Sequence, residues 1–378
     1  MAEIDLDKIA HNVQEIKKFV KNAELMAVVK ANAYGHGAIE ISAQALEHGA
    51  SWLGVATVEE GIELRRAGLT APILVLGGIL PEQFDLCLNY NLDITVSSNN
   101  FVKQIKQVDF NNKKKLHVHL KIDTGMGRLG VLPWEVTEFA TAVKNLDKVC
   151  VRGIWTHFPE AASLDASYSL RQIAVFEQSI RQIEDILSCI PFKHAANSAA
   201  IINLPQAHFN LVRAGLGLYG YYDEPHLAQH ICLKPALTWR TKITSFREVP
   251  PGSSIGYGRT FITKRPTRIA NIPVGYADGY NRLLSNKGQV LVKGKRVDIV
   301  GRVCMDQTMI DITDLDDIQE GEEVVLLGRQ GDNAITMEEM AAWACTIPND
   351  ILVSIGCRVF RTYKTAAPGT NIFEKIVS

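Results

Sequence analysis

LMAVVKANAYGHGAIEISAQALEHGASWLGVA, residues 25–56, contains the unit from which the fold can be read. It opens with an apolar run, LMAVV (25–29), of a length that suits a buried strand. A turn follows that carries Lys30, Tyr34 and His36 among small residues. AIEISAQALEHG has helical periodicity, and WLGVA (52–56) is a second buried run. Strand, helix and strand in succession imply a parallel sheet.

The pattern continues along the chain. ILVLG (73–77), DITVS (93–97), LHVHLKID (116–123), VCVRGIW (149–155), FKHAA (192–196) and LVRAG (211–215) read as further strands. Between most of them lie helical segments such as SYSLRQIAVFEQSIRQIEDIL. TVEEGIELRRAG opens with Thr57 and Glu60 at capping-box spacing and ends near Gly68. Eight strands favour a closed (β/α)8 barrel, of the TIM type, over residues 1–235. Beyond it the character changes: PALTWRTKITSF, TRIANIPVGY, GQVLVKGKRVDIVG and QTMIDIT are short β-type runs, with a hairpin expected around Gly294. One helix, TMEEMAAWACTI (336–347), interrupts them. A mainly β domain is therefore expected over 236–378, with PHLAQHICLKP (225–235) as the junction.

Composition narrows the classes. At 378 residues the chain exceeds what one core usually serves, so two domains are the natural expectation. Hydrophobic residues make up 47% and charged ones 21%, with a formal net charge of -1, which argues against a nucleic-acid-binding body or a membrane-surface protein. The seven cysteines are scattered, odd in number and without a CxxC pair. Neither a disulfide framework nor a metal site is expected, and a reducing compartment is. MAEIDLDKIAHNVQEIKK has no apolar signal region, and no run approaches bilayer length; a cytoplasmic location is the expectation.

Active residues of a parallel barrel gather beyond the C-terminal ends of its strands. Lys30, Tyr34 and His36 sit there after the first strand; Lys121, Asp123 and Arg128 after the fifth; His157 after the sixth; Asn197 and Ser198 after the seventh; Arg213 at the eighth. A lysine near the bottom of a pocket is disfavoured as a cation, which suits it to Schiff-base chemistry, whereas one at an open rim simply reaches water. NSAA (197–200) and RAGLGLYG (213–220) occupy the usual place of a barrel phosphate site. A first-strand lysine facing such a cradle suggests pyridoxal phosphate.

The motifs AVVKANAYGHG, KIDTGMGRLG, WTHF, HAANSAA, RAGLGLYG, SIGYGRTF, PVGYADGY and GRVCMDQ stand in the order found in bacterial alanine racemases, and the chain resembles that family over nearly its whole length. The resemblance implies a pyridoxal-phosphate enzyme that interconverts L- and D-alanine by a two-base mechanism and supplies D-alanine for peptidoglycan. Lys30 would anchor the cofactor and serve as one base, and Tyr257 would be the other, on the opposite face of the substrate. Arg213 would face the pyridine nitrogen, oriented by His194. Tyr34, Asn197, Ser198, Gly215 and Leu216 match positions around the phosphate, and His157 is placed between cofactor and Tyr257. Arg128, Met305 and Asp306 match the substrate-carboxylate site. Lys121 falls where the family often carries a carbamylated lysine beside Arg128, and Tyr276, Arg282 and Arg302 match its access corridor. The resemblance also implies a head-to-tail homodimer in which Tyr257 and Met305 serve the partner's lysine.

The chain departs from the family near its end. Asn349 and Asp350 replace a frequent Tyr-Glu, Phe360 a common proline, and Cys357 a tyrosine that narrows the pocket of some racemases. A wider mouth, and acceptance of serine, is one consequence. Two other readings stay open on sequence: a decarboxylase of the same two-domain build, and a non-catalytic pyridoxal-phosphate carrier.

Overall fold

The structure is a computed structural model that describes residues 1–108 and 115–365. It divides into two units. One holds Lys8–Ala33 and Ala38–Pro235; the other holds Met1–Asp7, Tyr34–Gly37 and everything described from Ala236 onward.

After the terminal strand Ala2–Asp5 (β1), the first unit is built on the eight expected runs: Glu24–Val28 (β2), Trp52–Val55 (β3), Ile73–Val75 (β4), Asp93–Val96 (β5), Leu116–Lys121 (β6), Val149–Trp155 (β7), Phe192–His194 (β8) and Leu211–Ala214 (β9). They pair in parallel in the order β8-β7-β6-β5-β4-β3-β2-β9. The seam between β8 and β9 is drawn together by Arg213 N–H donating to Ala196 O at 3.0 Å and by Asn210, whose side chain meets Lys193 N at 2.7 Å and Pro191 O at 2.6 Å. The result is a near-closed barrel. Met26, Trp52, Leu74 and Leu211 form one cluster of its core. Helices follow their sequence signals closely: Val58–Arg66 starts on a capping box of Thr57 and Glu60, and Ser167–Leu187 spans the long periodic segment.

The second unit is mainly β. Its larger sheet runs Lys295–Asp298, Gln289–Val292, Glu323–Gln330, Leu237–Lys242, β1, Arg361–Lys364, with Asn333–Ile335 paired to Glu323–Gln330. A smaller sheet joins Ser245–Val249, Thr267–Ile272 and Thr308–Asp311. The hairpin at Lys293 and Gly294 turns with φ of 48° and 73°, the left-handed pair that a two-residue loop requires.

Two expectations need correcting. The span 1–235 is not all barrel, because β1 pairs antiparallel with Leu237–Lys242 and parallel with Arg361–Lys364. Its alternating burial, Ala2 and Ile4 inside with Glu3 and Asp5 outward, suits a sheet with one covered face. The single helix expected over 336–347 is two: Met337–Trp343 ends before Cys345, whose φ is 54°, and Pro348–Ser354 restarts with proline in its first turn. Residues 366–378, the tail of the expected β domain, lie outside the described residues.

Candidate active site

Lys30 ends the first barrel strand, and the chain leaves it in an unusual way. Ala31, Asn32, Ala33 and Tyr34 all have φ between 51° and 53°, a single left-handed turn without a glycine. Each such residue is disfavoured by roughly 1–2 kcal/mol, so the turn must be held by its surroundings. Glu60 does much of this. Its Oε1 accepts Ala31 N–H at 2.6 Å, while Oε2 accepts Ala56 N–H at 2.6 Å and Thr57 N–H at 3.3 Å. Asn32 Oδ1 accepts Ala38 N–H at 2.8 Å, and Ala33 N–H donates to Val29 O. The turn leaves Lys30 half-buried, with its pKa lowered by burial and by Arg128, against a smaller opposing pull from Glu60.

Four basic side chains share this mouth. Arg128 stands on a loop shaped by Asp123, whose Oδ1 accepts Gly125 N–H at 2.9 Å and Gly127 N–H at 3.1 Å. Lys121 is buried with its Nζ 3.8 Å above the Trp155 ring and no hydrogen-bond partner among the described residues. Burial, Arg213 and Arg128 hold the Lys121 amine well below its ordinary pKa. Arg213 is also buried, and burial and Arg128 lower its pKa. Its Nη1 reaches His194 Nδ1 at 3.1 Å and His194 O at 3.0 Å; its Nη2 reaches Thr156 O at 2.8 Å, Ala195 O at 2.9 Å and His157 Nδ1 at 3.3 Å. Both Nη groups are thus committed, which leaves Nε–H as the donor available to a ligand. His157 is kept neutral, chiefly by burial and then by Arg213.

Ser198 Oγ accepts Gly215 N–H at 2.9 Å and Gly217 N–H at 3.1 Å, so side chain and backbone donors converge where the sequence suggested a phosphate cradle. Leu216 sits between these amides and is buried. Asn197 is the N-cap of Ser198–Asn203, its Oδ1 accepting Ala200 N–H at 3.0 Å, and so shapes the cradle.

The remaining expected residues lie in the β unit, where Tyr34 also groups. Tyr257 is 71% exposed and lines a cleft of about 420 Å³ with Tyr276, Arg282 and Arg302. Met305 is exposed, its carbonyl held by Ala277 N–H at 2.9 Å. Asp306 is paired with Arg358 at 2.8 Å, which also reaches Asp278 at 3.4 Å; Cys357, next in chain, is exposed. Sequence reasoning passed over Arg358, Trp155, the clamp made by Glu60, and His119 with Asp93. Only HVH in β6 advertised one of them, since alternation puts His117 and His119 on one face.

A barrel with a pKa-lowered lysine at its mouth, a backbone cradle beyond the neighbouring strand and a separate β unit carrying an exposed tyrosine is the build of a two-domain, lysine-dependent enzyme. The chain belongs to the alanine racemase family: residues 4–223 match the family's "Alanine racemase, N-terminal domain" and 236–363 its "Alanine racemase, C-terminal domain". The alanine racemase of Halothermothrix orenii is 45% identical over 97% of both chains, and that of Carboxydothermus hydrogenoformans is 44% identical over 96% of this chain and 98% of the relative. The crystal structure of alanine racemase from Bacillus anthracis with bound L-Ala-P superposes with a TM-score of 0.92 at 37% identity, covering 97% of this chain and 95% of that one. Membership over both units leaves the decarboxylase and carrier readings without support.

Proposed function

We propose that this chain interconverts L- and D-alanine, with pyridoxal phosphate held at the barrel mouth, and so provides D-alanine for cell-wall synthesis. The observation that carries this is the match of both units, in order, to alanine racemases, together with the half-buried Lys30 amine beside Arg128. The residues suit the cofactor. Arg128 and Arg213 favour a ligand bearing a phosphate and a carboxylate, and Ser198 with the Gly215 and Leu216 backbone is shaped to take the phosphate, helped by Asn197 and Tyr34. When bound, the cofactor supplies an electron-withdrawing ring that eases loss of the proton from the amino acid's Cα.

The chain's own groups do the rest. Lys30 would hold the cofactor through its Nζ, and the same Nζ would move the proton on one face of Cα. The Tyr257 hydroxyl moves it on the other, with His157 beside it. Arg213 would offer Nε–H toward the ring nitrogen of the bound cofactor and, as a guanidinium, would keep its own proton rather than pass it to the ring. Arg128, Met305 and Asp306 position the substrate carboxylate. A carbamate on Lys121 would give its unpartnered Nζ a role and place negative charge beside Arg128. Tyr257 and Met305 act on the partner's Lys30 in a head-to-tail homodimer, a reading supported by their exposure.

The test is a chiral assay of L-alanine in D2O with added cofactor. D-alanine should accumulate with deuterium at Cα and without release of CO2, and both should vanish in Lys30→Ala and Tyr257→Phe. Absence of interconversion in the unmodified enzyme would sink the proposal.

A further inference from the structure

The barrel interior holds a polar line that the mechanism above uses only at its Arg213 end. Interiors of this kind are normally filled with branched apolar side chains. Here Asp93, His119, His194 and Arg213 are all at most 3% exposed and are joined end to end. Asp93 Oδ2 lies 3.3 Å from His119 Nε2, His119 Nδ1 lies 2.9 Å from His194 Nε2, and His194 Nδ1 lies 3.1 Å from Arg213 Nη1. Arg152 Nη1 at 3.1 Å and His117 Nδ1 at 3.5 Å meet the other carboxylate oxygen.

One arrangement of protons satisfies every link. Arg213 can only donate, so His194 Nδ1 must accept. His194 then carries its proton on Nε2 and donates to His119 Nδ1; His119 in turn donates from Nε2 to the Asp93 carboxylate. Local geometry is adapted to the line. The β6–β7 ladder shifts register between Val118 and His119, which pairs His119 with Gly153 and leaves Arg152 as the additional residue. A Cβ at Gly153 would strike the His119 ring, so this ring position requires glycine opposite it.

We propose that Asp93 and His119 are positioning residues for the reaction: through one fixed pair of tautomers they make His194 present an unprotonated Nδ1 to Arg213, holding the guanidinium in the orientation that leaves Nε–H free. Carboxylates commonly fix a histidine's tautomer and thereby the group beyond it. The electrostatics agree. Burial lowers the pKa of both rings, so each is neutral near pH 7, with Arg213 adding to the effect at His194. Burial would raise the Asp93 carboxyl, but hydrogen bonds from His117 and His119 and the charge of Arg152 outweigh it and hold it down at about 2.

The effect on catalysis rests on Arg213 meeting the cofactor ring; the tautomers do not. The first measurement is therefore long-range ¹H–¹⁵N NMR of histidine-labelled holoenzyme, with His119 assigned by its loss in His119→Gln and His194 by its response to the same change. Both rings should be neutral Nε2–H tautomers at pH 6 to 9. A charged ring, or a proton on Nδ1 of either, overturns the proposal without touching the racemase reading. The second is kinetic: Asp93→Asn and His119→Gln should each lower kcat about tenfold while KM for alanine stays within about twofold. Either variant, folded and with unchanged kcat, would also overturn it. An inactive unmodified enzyme would instead count against the function proposed above.

Discussion

Asp93 shows how a single residue couples stability to pH. Its folded pKa, about 2, lies below the ordinary 3.8, so the ionised carboxylate stabilises the fold above pH 3.8 and that contribution is lost as the pH falls through about 2. The shift corresponds to about 2 kcal/mol. Urea midpoints of Asp93→Asn should accordingly fall at pH 7, and the acid limb between pH 4 and 2 should flatten relative to the unmodified chain. Cys357 makes a different statement at the same scale. If its small side chain widens the mouth, kcat/KM for L-serine should be measurable beside that for L-alanine, and Cys357→Tyr should depress the serine value roughly tenfold more than the alanine value. A serine rate that stays negligible, in a ratio the substitution does not move, would count against a wider mouth.

The informative element is the turn after Lys30. Its sequence, ANAY, announces small residues but not a left-handed turn, because none of the four is a glycine. What holds it is Glu60, legible in the sequence only as the third residue of a capping box. One carboxylate serves both the start of Val58–Arg66 and the backbone of Ala31. Glu60→Ala should therefore do more than remove a cap: a loss of about 2 kcal/mol in unfolding free energy is expected, along with a fall in kcat because Lys30 is no longer presented rigidly. A stability loss with full activity would show that the clamp matters to the helix alone. The line from Asp93 to Arg213 was half legible: HVH marks one face of β6 and His194 was expected to orient Arg213, but Asp93 is far in the chain from those two, and nothing local to any of them says that the line joins up.

At the scale of the molecule, the proposed sharing of sites between two chains makes a quantitative prediction. Lys30→Ala and Tyr257→Phe should each be inactive alone. When the two are dissociated, mixed in equal amounts and reassociated, half the dimers are mixed, and each has one site with both native residues. About a quarter of full activity should return; none should return if each chain completes its own site. The sequence by itself determined the barrel and the β unit, since apolar runs of strand length alternating with helical periodicity admit few parallel arrangements, and it determined which residues stand at strand ends. Caps and the hairpin were legible for the same reason: they depend on neighbours within a few residues. Tertiary structure alone decided that β1 leaves the barrel unit, because its partners are Leu237–Lys242 and Arg361–Lys364. It alone decided that Lys30 rides on a left-handed turn and that His119 and Asp93 line up behind His194 and Arg213. Local patterns encode which face of an element is buried. Which polar groups then meet across a closed sheet follows from register and closure, and no stretch of the chain carries that information alone.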